Sequence, residues 1–330
     1  MIPEPDLDVP ALAAAIRAGD RRALAKAITL VESTRDDHRA RAEELLAAVP
    51  VADPPAMRIG ISGSPGVGKS TLIEALGQTV IADGNQLAVL AVDPSSSISG
   101  GSILGDKIRM VDLSRNDAAF IRPSPAGRTL GGVARRTREA IHLCEAAGFA
   151  KVFVETVGVG QSETAVAGMT DLFILVVAPA GGDELQGIKR GIMELADLVV
   201  VNKADGELLA RAQQAVAEYR SAIALLIPRH AGSPADARAV SALTGDGIAE
   251  LWDGLRARWT ALDLSGELAR QRADQARAWL WDEVDMGLRA HALRAAGAAE
   301  HDLERDVEAG RLLPHIAAAR IVARLVAGDR

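Results

Sequence analysis

Residues 63–70 read Gly-Ser-Pro-Gly-Val-Gly-Lys-Ser, a complete G-x-x-x-x-G-K-S phosphate-binding loop. Glycines let backbone N–H groups turn toward a β-phosphate, Lys69 supplies a positive charge to the β and γ oxygens, and the Ser70 hydroxyl can ligate Mg²⁺. A strand-like run precedes the loop, and a helix whose positive dipole end faces the phosphates follows it. The residues predicted to bind the phosphates are Gly63, Ser64, Pro65, Gly66, Val67, Gly68, Lys69, Ser70 and Thr71.

A second motif, Asn202-Lys203-Ala204-Asp205, follows another strand-like run. The Asp205 carboxylate can accept hydrogen bonds from N1–H and the 2-amino group of guanine, where adenine presents an acceptor and no amino group. In this interpretation Lys203 lays its stem over the base and Asn202 ties neighbouring loops together. Ser241 and Ala242 offer a backbone N–H to the guanine carbonyl. The motif therefore predicts a guanine nucleotide.

Three acidic residues are candidates to complete a Mg²⁺ shell around the Ser70 hydroxyl. Asp93 and Glu155 each end a strand-like run, and Asp106 lies in a glycine-rich loop. Because Mg²⁺ keeps several waters and is held by one or two carboxylates plus phosphate oxygens, some of the three would act through water. Structural alternatives are a turn for Asp93, a solvated loop charge for Asp106 and a strand-end cap for Glu155.

Residues 155–158 occupy the place where Ras-like proteins carry D-x-x-G, so Gly158 is positioned to offer its N–H to a γ-phosphate. The next residue, a water-orienting Gln in Ras-like proteins, is Val159, whose apolar side chain cannot orient water. We therefore expect slow intrinsic hydrolysis that a partner or a loop residue accelerates. The nearest loop candidates are Gln161, Asp106 and Arg109. The residues predicted to act in catalysis are Lys69, Asp106, Glu155 and Gly158.

The elements that must position these motifs alternate between strand-like and helical patterns. Such alternation predicts an α/β fold with a mostly parallel central sheet flanked by helices, in which ligands bind at the carboxyl ends of the strands. Each motif follows a strand-like run, where that rule places a ligand. The strand-like runs are residues 57–62, 87–92, 151–155, 172–178 and 197–201, with helical segments such as 129–147 and 184–196 between them.

The same patterns divide the chain into three parts. We predict an N-terminal helical extension over residues 1–55, a P-loop nucleotide-binding domain over residues 56–262, and a C-terminal helical arm over residues 263–330. We expect the arm to form a homodimer. The four tryptophans lie between residues 252 and 281, which is compatible with a surface where the tail or a second chain docks. Ordinary helix packing inside one chain is the alternative.

Composition argues against several other classes of protein. The 330 residues include 37 basic and 44 acidic side chains, a net charge of −7 without a basic stripe, so a nucleic-acid partner has no electrostatic support. The longest apolar stretch is about half a membrane helix, and an acidic N-terminus is unlike a signal peptide. We expect a cytoplasmic protein. The lone Cys144 leaves no internal disulfide and is expected to be core filler, and the six histidines show no metal-ligand spacing.

With these motifs in place, the chain resembles the MeaB/ArgK GTPases, bacterial relatives of the human methylmalonic aciduria type A protein. The resemblance covers nearly the whole chain, although residues 97–99 and the tail beyond residue 265 depart from the family pattern. It implies a Mg²⁺-dependent GTPase that acts as a chaperone of an adenosylcobalamin-dependent acyl-CoA mutase. The motifs that carry it are A-V-D-P-S-S at residues 91–96, G-G-S-I-L-G-D-K at 100–107, E-T-V-G-V-G-Q-S-E at 155–163 and G-D-E-L-Q-G-I-K at 182–189.

The resemblance also implies roles for individual residues and partners. Lys69, Ser70, Asp93, Asp106 and Glu155 resemble the family's phosphate and Mg²⁺ group. Asp183, Gln186 and Lys189 resemble a third switch, which reports the nucleotide state to methylmalonyl-CoA mutase or a related isomerase. Asp183-x-x-Gln186 is equally a capping-box pattern that needs no signalling role, whereas a pair between Lys189 and Glu155 would join this loop to the metal shell. A cobalamin adenosyltransferase is a further candidate partner.

Two other functions stay open from the sequence. A metal-insertion GTPase for another metalloenzyme usually carries Cys-x-x-Cys or His-rich tracts, and this chain has neither. A transport-associated ATPase or kinase is disfavoured by the guanine motif at residues 202–205. In addition, Ser64 is not the extra lysine that marks the partition-type ATPases.

Overall fold

A parallel sheet of seven strands lies at the centre of the chain, in the order β3-β2-β4-β1-β5-β6-β7. The computed structural model describes residues 8–33, 35–92, 110–123, 130–156, 162–179, 190–230, 232–295 and 298–328. Every pairing between neighbouring strands of this sheet is parallel, which confirms the predicted fold class. The strands are β1 Met57–Ser62, β2 Leu87–Val92, β3 Ala119–Pro123, β4 Lys151–Thr156, β5 Leu172–Val177, β6 Leu198–Val201 and β7 Asp236–Ala239.

The chain divides into two compact units, Met1–Gln271 and Arg272–Arg330. The helices of the first unit are α1 Val9–Arg17, α2 Arg21–Glu32, α3 Asp36–Ala48, α4 Lys69–Ala82, α5 Val111–Arg115, α6 Leu130–Ala146, α7 Ser162–Ala167, α8 Arg190–Leu195, α9 Leu209–Ile223 and α10 Ile248–Leu264. They are followed by α11 Glu267–Ala295, α12 Ala298–Glu308 and α13 Pro314–Gly328. Within the described residues, none of these helices has the length and hydropathy needed to cross a bilayer.

The N-terminal helices are attached to the sheet through its edge strand β3. Asp20 caps α2 by accepting the backbone N–H groups of Arg22 and Ala23, and these hydrogen bonds, first of all that of Ala23, lower the pKa of its carboxyl. Further along α2, Glu32 is buried and forms an ion pair with Arg122 of β3. Because α2 also packs against α6, the three N-terminal helices form part of the first unit.

The main hydrophobic core lies on the face of the sheet that α4 and α10 cover. Its side chains come from alternate positions of the strands, because successive residues of a strand point to opposite faces. Cys144 is buried as well, and burial raises the pKa of its thiol, which agrees with its expected role as core filler. Fully buried members of the core include Ile59, Ile61, Leu72, Leu76, Phe153, Ile174, Val200 and Leu251.

Two of the four tryptophans fasten α10 to the amino-terminal edge of the sheet. The indole N–H of Trp259 donates to the Asp171 carboxylate at 3.0 Å, and that of Trp252 donates to Asp83 at 3.1 Å. The Lys151 ammonium lies 5.9 Å and 5.8 Å from the ring centroids of Trp252 and Trp259, and burial lowers its pKa. For these two tryptophans, helix packing within one chain is therefore the arrangement observed.

Candidate functional site

The phosphate-binding loop connects the carboxyl end of β1 to the first residue of α4. Two of its glycines occupy positions that no other residue fits. A Cβ atom on Gly63 would lie 2.2 Å from the Val176 carbonyl oxygen, and one on Gly68 would lie 2.6 Å from the Asn202 side-chain nitrogen. Both glycines have positive φ, 153° and 89°. The loop therefore keeps its tight curve because β5 and the base motif press against it, while Ser64, Pro65, Gly66 and Thr71 are exposed.

The lysine of the loop lies on the inside of this curve. Lys69 is 8% exposed, and its Nζ donates to the carbonyl oxygens of Gly63 at 2.7 Å and Ser64 at 3.2 Å. Since Lys69 is the first residue of α4, its charge adds to the positive end of the helix dipole. This edge of the sheet is therefore built to receive an anion.

Ser70 and Glu155 meet directly beside the loop. The Ser70 hydroxyl donates to Oε1 of Glu155 at 3.3 Å, and Glu155 is 6% exposed at the end of β4. Hydroxyl and carboxylate oxygens are the donors that Mg²⁺ takes, and neighbouring ligands of an octahedral Mg²⁺ with 2.0–2.1 Å bonds lie about 3 Å apart. The pair therefore fits two positions in a Mg²⁺ shell.

The base motif is joined to the loop and to the segment after β7 by side-chain hydrogen bonds. The Asn202 amide donates to the Val67 carbonyl at 3.0 Å, and its oxygen accepts the Ala242 N–H at 3.1 Å. Lys203 has φ 62° and donates to the Gly66 carbonyl at 2.7 Å. One buried amide thus ties together the phosphate loop, the end of β6 and the end of β7.

Ser241 makes a contact that the sequence did not predict. Its hydroxyl donates to Oδ2 of Asp205 at 2.5 Å and accepts the Thr244 N–H at 3.1 Å. One carboxylate oxygen of Asp205 is therefore oriented by the loop that follows β7. Ser241 lies two residues beyond β7, whose pairing with β6 brings it beside the base motif, and no local sequence pattern marks this contact.

The structure brings together the phosphate loop, Ser70 with Glu155, the base motif at residues 202–205, and Ser241 with Ala242. All of them lie at the carboxyl edge of the sheet, at the end of β4 or after β1, β6 and β7. The other predicted site residues lie outside the described part of the chain, so the predicted pair of Lys189 with Glu155 stays a prediction. They are Asp93, Asp106, Arg109, Gly158, Gln161, Asp183, Gln186 and Lys189.

Comparison with known proteins adds a family to this geometry. Residues 24–297 match the family described as methylmalonyl Co-A mutase-associated GTPase MeaB. A probable GTPase of Mycobacterium tuberculosis H37Rv is 51% identical over 319 residues, which cover 96% of this chain and 95% of the relative. The mitochondrial methylmalonic aciduria type A homolog of Mus musculus is 48% identical over 91% of this chain and 75% of the relative. The crystal structure of a LAO/AO transport system kinase is similar with a TM-score of 0.76 and 36% identity, covering 98% of this chain and 99% of the other.

Proposed function

Since the chain belongs to the MeaB family of mutase-associated GTPases, as its motifs predict, we propose that it is a chaperone of an adenosylcobalamin-dependent acyl-CoA mutase. In this proposal its nucleotide state controls cofactor loading and protects or reactivates the mutase. The observation that carries the proposal is the family match, which runs through every described element of the site. The 48% identity to a methylmalonic aciduria type A homolog supports the same class of partner.

The chain's own residues supply most of the hydrolytic site. Lys69 offers a fixed positive charge to the β and γ phosphate oxygens, and Asp205 accepts the donor edge of guanine. Ser70 and Glu155 would hold Mg²⁺, which when bound would neutralise charge that develops on those phosphate oxygens. We propose that Asp93 and Asp106 complete the metal shell and that Gly158 binds the γ-phosphate. Because Val159 cannot orient water, hydrolysis is slow until a further group is supplied.

We further propose that Asp183, Gln186 and Lys189 transmit the nucleotide state. Two described helices support this route. Helix α7 begins at Ser162, directly after the segment that contains Gly158, and α8 begins at Arg190, directly after the proposed switch. The two helices pack against each other, and α8 also packs against β5. We propose that these packed elements pass a displacement at one segment to the other.

The experiment that tests the proposal is a measurement of GTP turnover with and without a purified B12-dependent acyl-CoA mutase from the same cell. We expect the mutase to raise turnover by about tenfold and to shift GTP affinity, because coupling between two sites is reciprocal for binding. Lys69→Ala serves as the control and abolishes the stimulated turnover. An unchanged rate with every mutase of that cell contradicts the chaperone role and leaves the GTPase intact. Titrations of GTP and ATP by calorimetry separate the GTPase from a transport-associated ATPase.

We also propose that the second unit forms a homodimer. It exposes several large apolar side chains that the surface of a monomeric soluble protein rarely presents together. On α11, Trp281 is 62% and Leu288 is 64% exposed, with Val284 between them at helical spacing on the same face. Leu313 and Val322 are exposed on the segment that follows. A second copy of the chain offers an identical apolar face, which is what a two-fold interface requires.

Replacing Trp281 with glutamate is expected to convert the dimer into a monomer, because a buried carboxylate without a partner opposes association. Loss of an aromatic anchor and burial of a charge together weaken a dimer by about 100-fold or more. Light scattering after size-exclusion chromatography over a range of protein concentrations measures the change. The matched control is Leu225→Glu, a still more exposed apolar residue of the first unit, which leaves the mass unchanged. A wild-type protein that is monomeric throughout the range contradicts the proposal.

A further inference from the structure

The last two residues of β4 form side-chain hydrogen bonds with residues at the two ends of the phosphate loop, one on each face of the sheet. Successive strand side chains point to opposite faces, so Glu155 reaches Ser70 on one side and Thr156 lies on the other. There the Thr156 hydroxyl donates to the Ser62 hydroxyl oxygen at 2.8 Å. Thr156 is 0% and Ser62 is 1% exposed. A hydroxyl pair is thus buried directly beneath the phosphate loop.

This hydrogen bond extends the contact between β1 and β4 up to the residue before the phosphate loop. The register of β1 and β4 runs from Met57 opposite Lys151 to Ile61 opposite Glu155. Ser62 and Thr156 follow, so their side chains add one more link where β1 gives way to the loop. On its other side, Thr156 stands opposite Val92, the last residue of β2. Thr156 therefore lies where three neighbouring strands end.

The chemistry of the pair indicates that it positions β4 more than it stabilises the fold. The other residues on this face of β4 are Val152 and Val154, both fully buried, so an apolar residue would suit position 156 without any cost of burying a hydroxyl. A single neutral hydrogen bond adds little net stability. Its value lies in direction, because a 2.8 Å bond fixes β4 along the strand axis relative to Ser62, the residue before the loop.

We propose that Thr156 and Ser62 are positioning residues for the metal site, and this inference rests on the proposed GTPase site. The pair holds β4 in register with the phosphate loop, so that the Glu155 carboxylate and the Ser70 hydroxyl keep the separation that suits two Mg²⁺ ligands. In this role neither residue binds the nucleotide or the metal itself. They act through Glu155 on one strand and through the loop on the other, as partners that orient metal ligands do elsewhere.

The test is a Mg²⁺ titration of GTP hydrolysis for Thr156→Val, Ser62→Ala, the double variant and the conservative variant Thr156→Ser. We expect the half-saturating Mg²⁺ concentration to rise about tenfold in each single variant, the usual effect of losing a partner that orients a ligand. The double variant shows no further rise, because both single changes break the same bond. Thr156→Ser restores the wild-type titration within about twofold, since it restores the hydroxyl. GDP affinity in EDTA stays within the same margin, which a general loss of structure would not allow.

Three outcomes decide the matter. If Thr156→Val and Ser62→Ala lower the melting temperature but leave the Mg²⁺ titration unchanged, the pair is only structural and the inference is wrong. If wild-type hydrolysis itself is independent of Mg²⁺, the proposed metal site fails, and the inference fails with it. Should Thr156→Val not fold, Ser62→Ala decides alone, because it removes the other hydroxyl of the same bond and leaves β4 intact.

Discussion

Replacing Asp205 with asparagine is expected to lower affinity for GTP by about 100-fold or more and to create affinity for xanthosine triphosphate. The carboxylate can accept hydrogen bonds from both N1–H and the 2-amino group of guanine. An asparagine side chain places an N–H₂ group, itself a donor, opposite one of these two donors. Xanthine carries a carbonyl oxygen in place of the 2-amino group and can accept that N–H₂. The substitution therefore removes complementarity to guanine and creates complementarity to xanthine.

Calorimetric titration with GDP, GTP and xanthosine triphosphate measures this exchange. Glu207→Gln is the matched control, because it makes the same change from carboxylate to amide at an exposed residue of the adjoining turn, Gly206–Leu208. The control is expected to bind GTP within about twofold of the wild type, as surface substitutions usually have small effects. Ser241→Ala is expected to weaken GTP by less than Asp205→Asn, because it frees one carboxylate oxygen without removing it. Unaltered GTP affinity in Asp205→Asn would exclude Asp205 as the residue that selects guanine.

The parts of the fold that could be predicted are those whose burial dictates composition. Strands β2 and β5 are buried at every position, so their sequences are continuous apolar runs that a pattern search finds. The two edge strands, β3 and β7, were missed. Each pairs with a single neighbour, and β7 is only Asp-Ala-Arg-Ala, in which Ala237 alone is fully buried. Strand β7 buries so little that it needs no apolar run, and its sequence has none, whereas β3 offers only the short run Ala119-Phe120-Ile121.

The candidate site, like the fold, has parts that could be predicted from the sequence and parts that could not. Its glycines, Lys69 and Asp205 could be predicted because phosphate and guanine impose fixed residue types at fixed spacing. The contacts that orient them could not, because they join residues far apart in sequence. Ser241 reaches Asp205 across 36 positions, and Thr156 reaches Ser62 across 94. Such contacts follow from the strand order, which places β4 and β5 on either side of β1, and no local pattern records that order.

Asp197→Ala is expected to produce the largest loss of stability, about 3–5 kcal/mol, because it breaks a buried ionic cluster from one side. Asp197 is fully buried just before β6, and its Oδ2 accepts the Phe173 N–H at 2.8 Å and the Arg229 guanidinium at 3.0 Å. Its Oδ1 lies 3.1 Å from a ring nitrogen of His230 and 3.6 Å from the Arg258 guanidinium. Burial lowers the pKa of the Arg258 guanidinium, and the negative charge of Asp197 opposes that shift.

The control for this prediction is Asp236, the first residue of β7, which is the strand next to β6. Asp236 accepts from Arg220 at 2.9 Å, but the two side chains are 39% and 55% exposed. Water screens that pair, so Asp236→Ala is expected to cost less than about 1 kcal/mol. Urea unfolding monitored by circular dichroism compares the midpoints and slopes of the two variants. Equal shifts in the two midpoints would mean that burial adds nothing to the Asp197 cluster.

Asp197→Asn separates the charge from the hydrogen bonds within that cluster. The amide oxygen can still accept the Phe173 N–H and one guanidinium N–H, but the negative charge that neutralises Arg229 and Arg258 is gone. If the charge dominates, asparagine loses nearly as much free energy of unfolding as alanine. If the accepted hydrogen bonds dominate, asparagine recovers most of the loss. We expect the first result, because both guanidinium side chains are only 16% exposed, too little for water to replace the missing carboxylate.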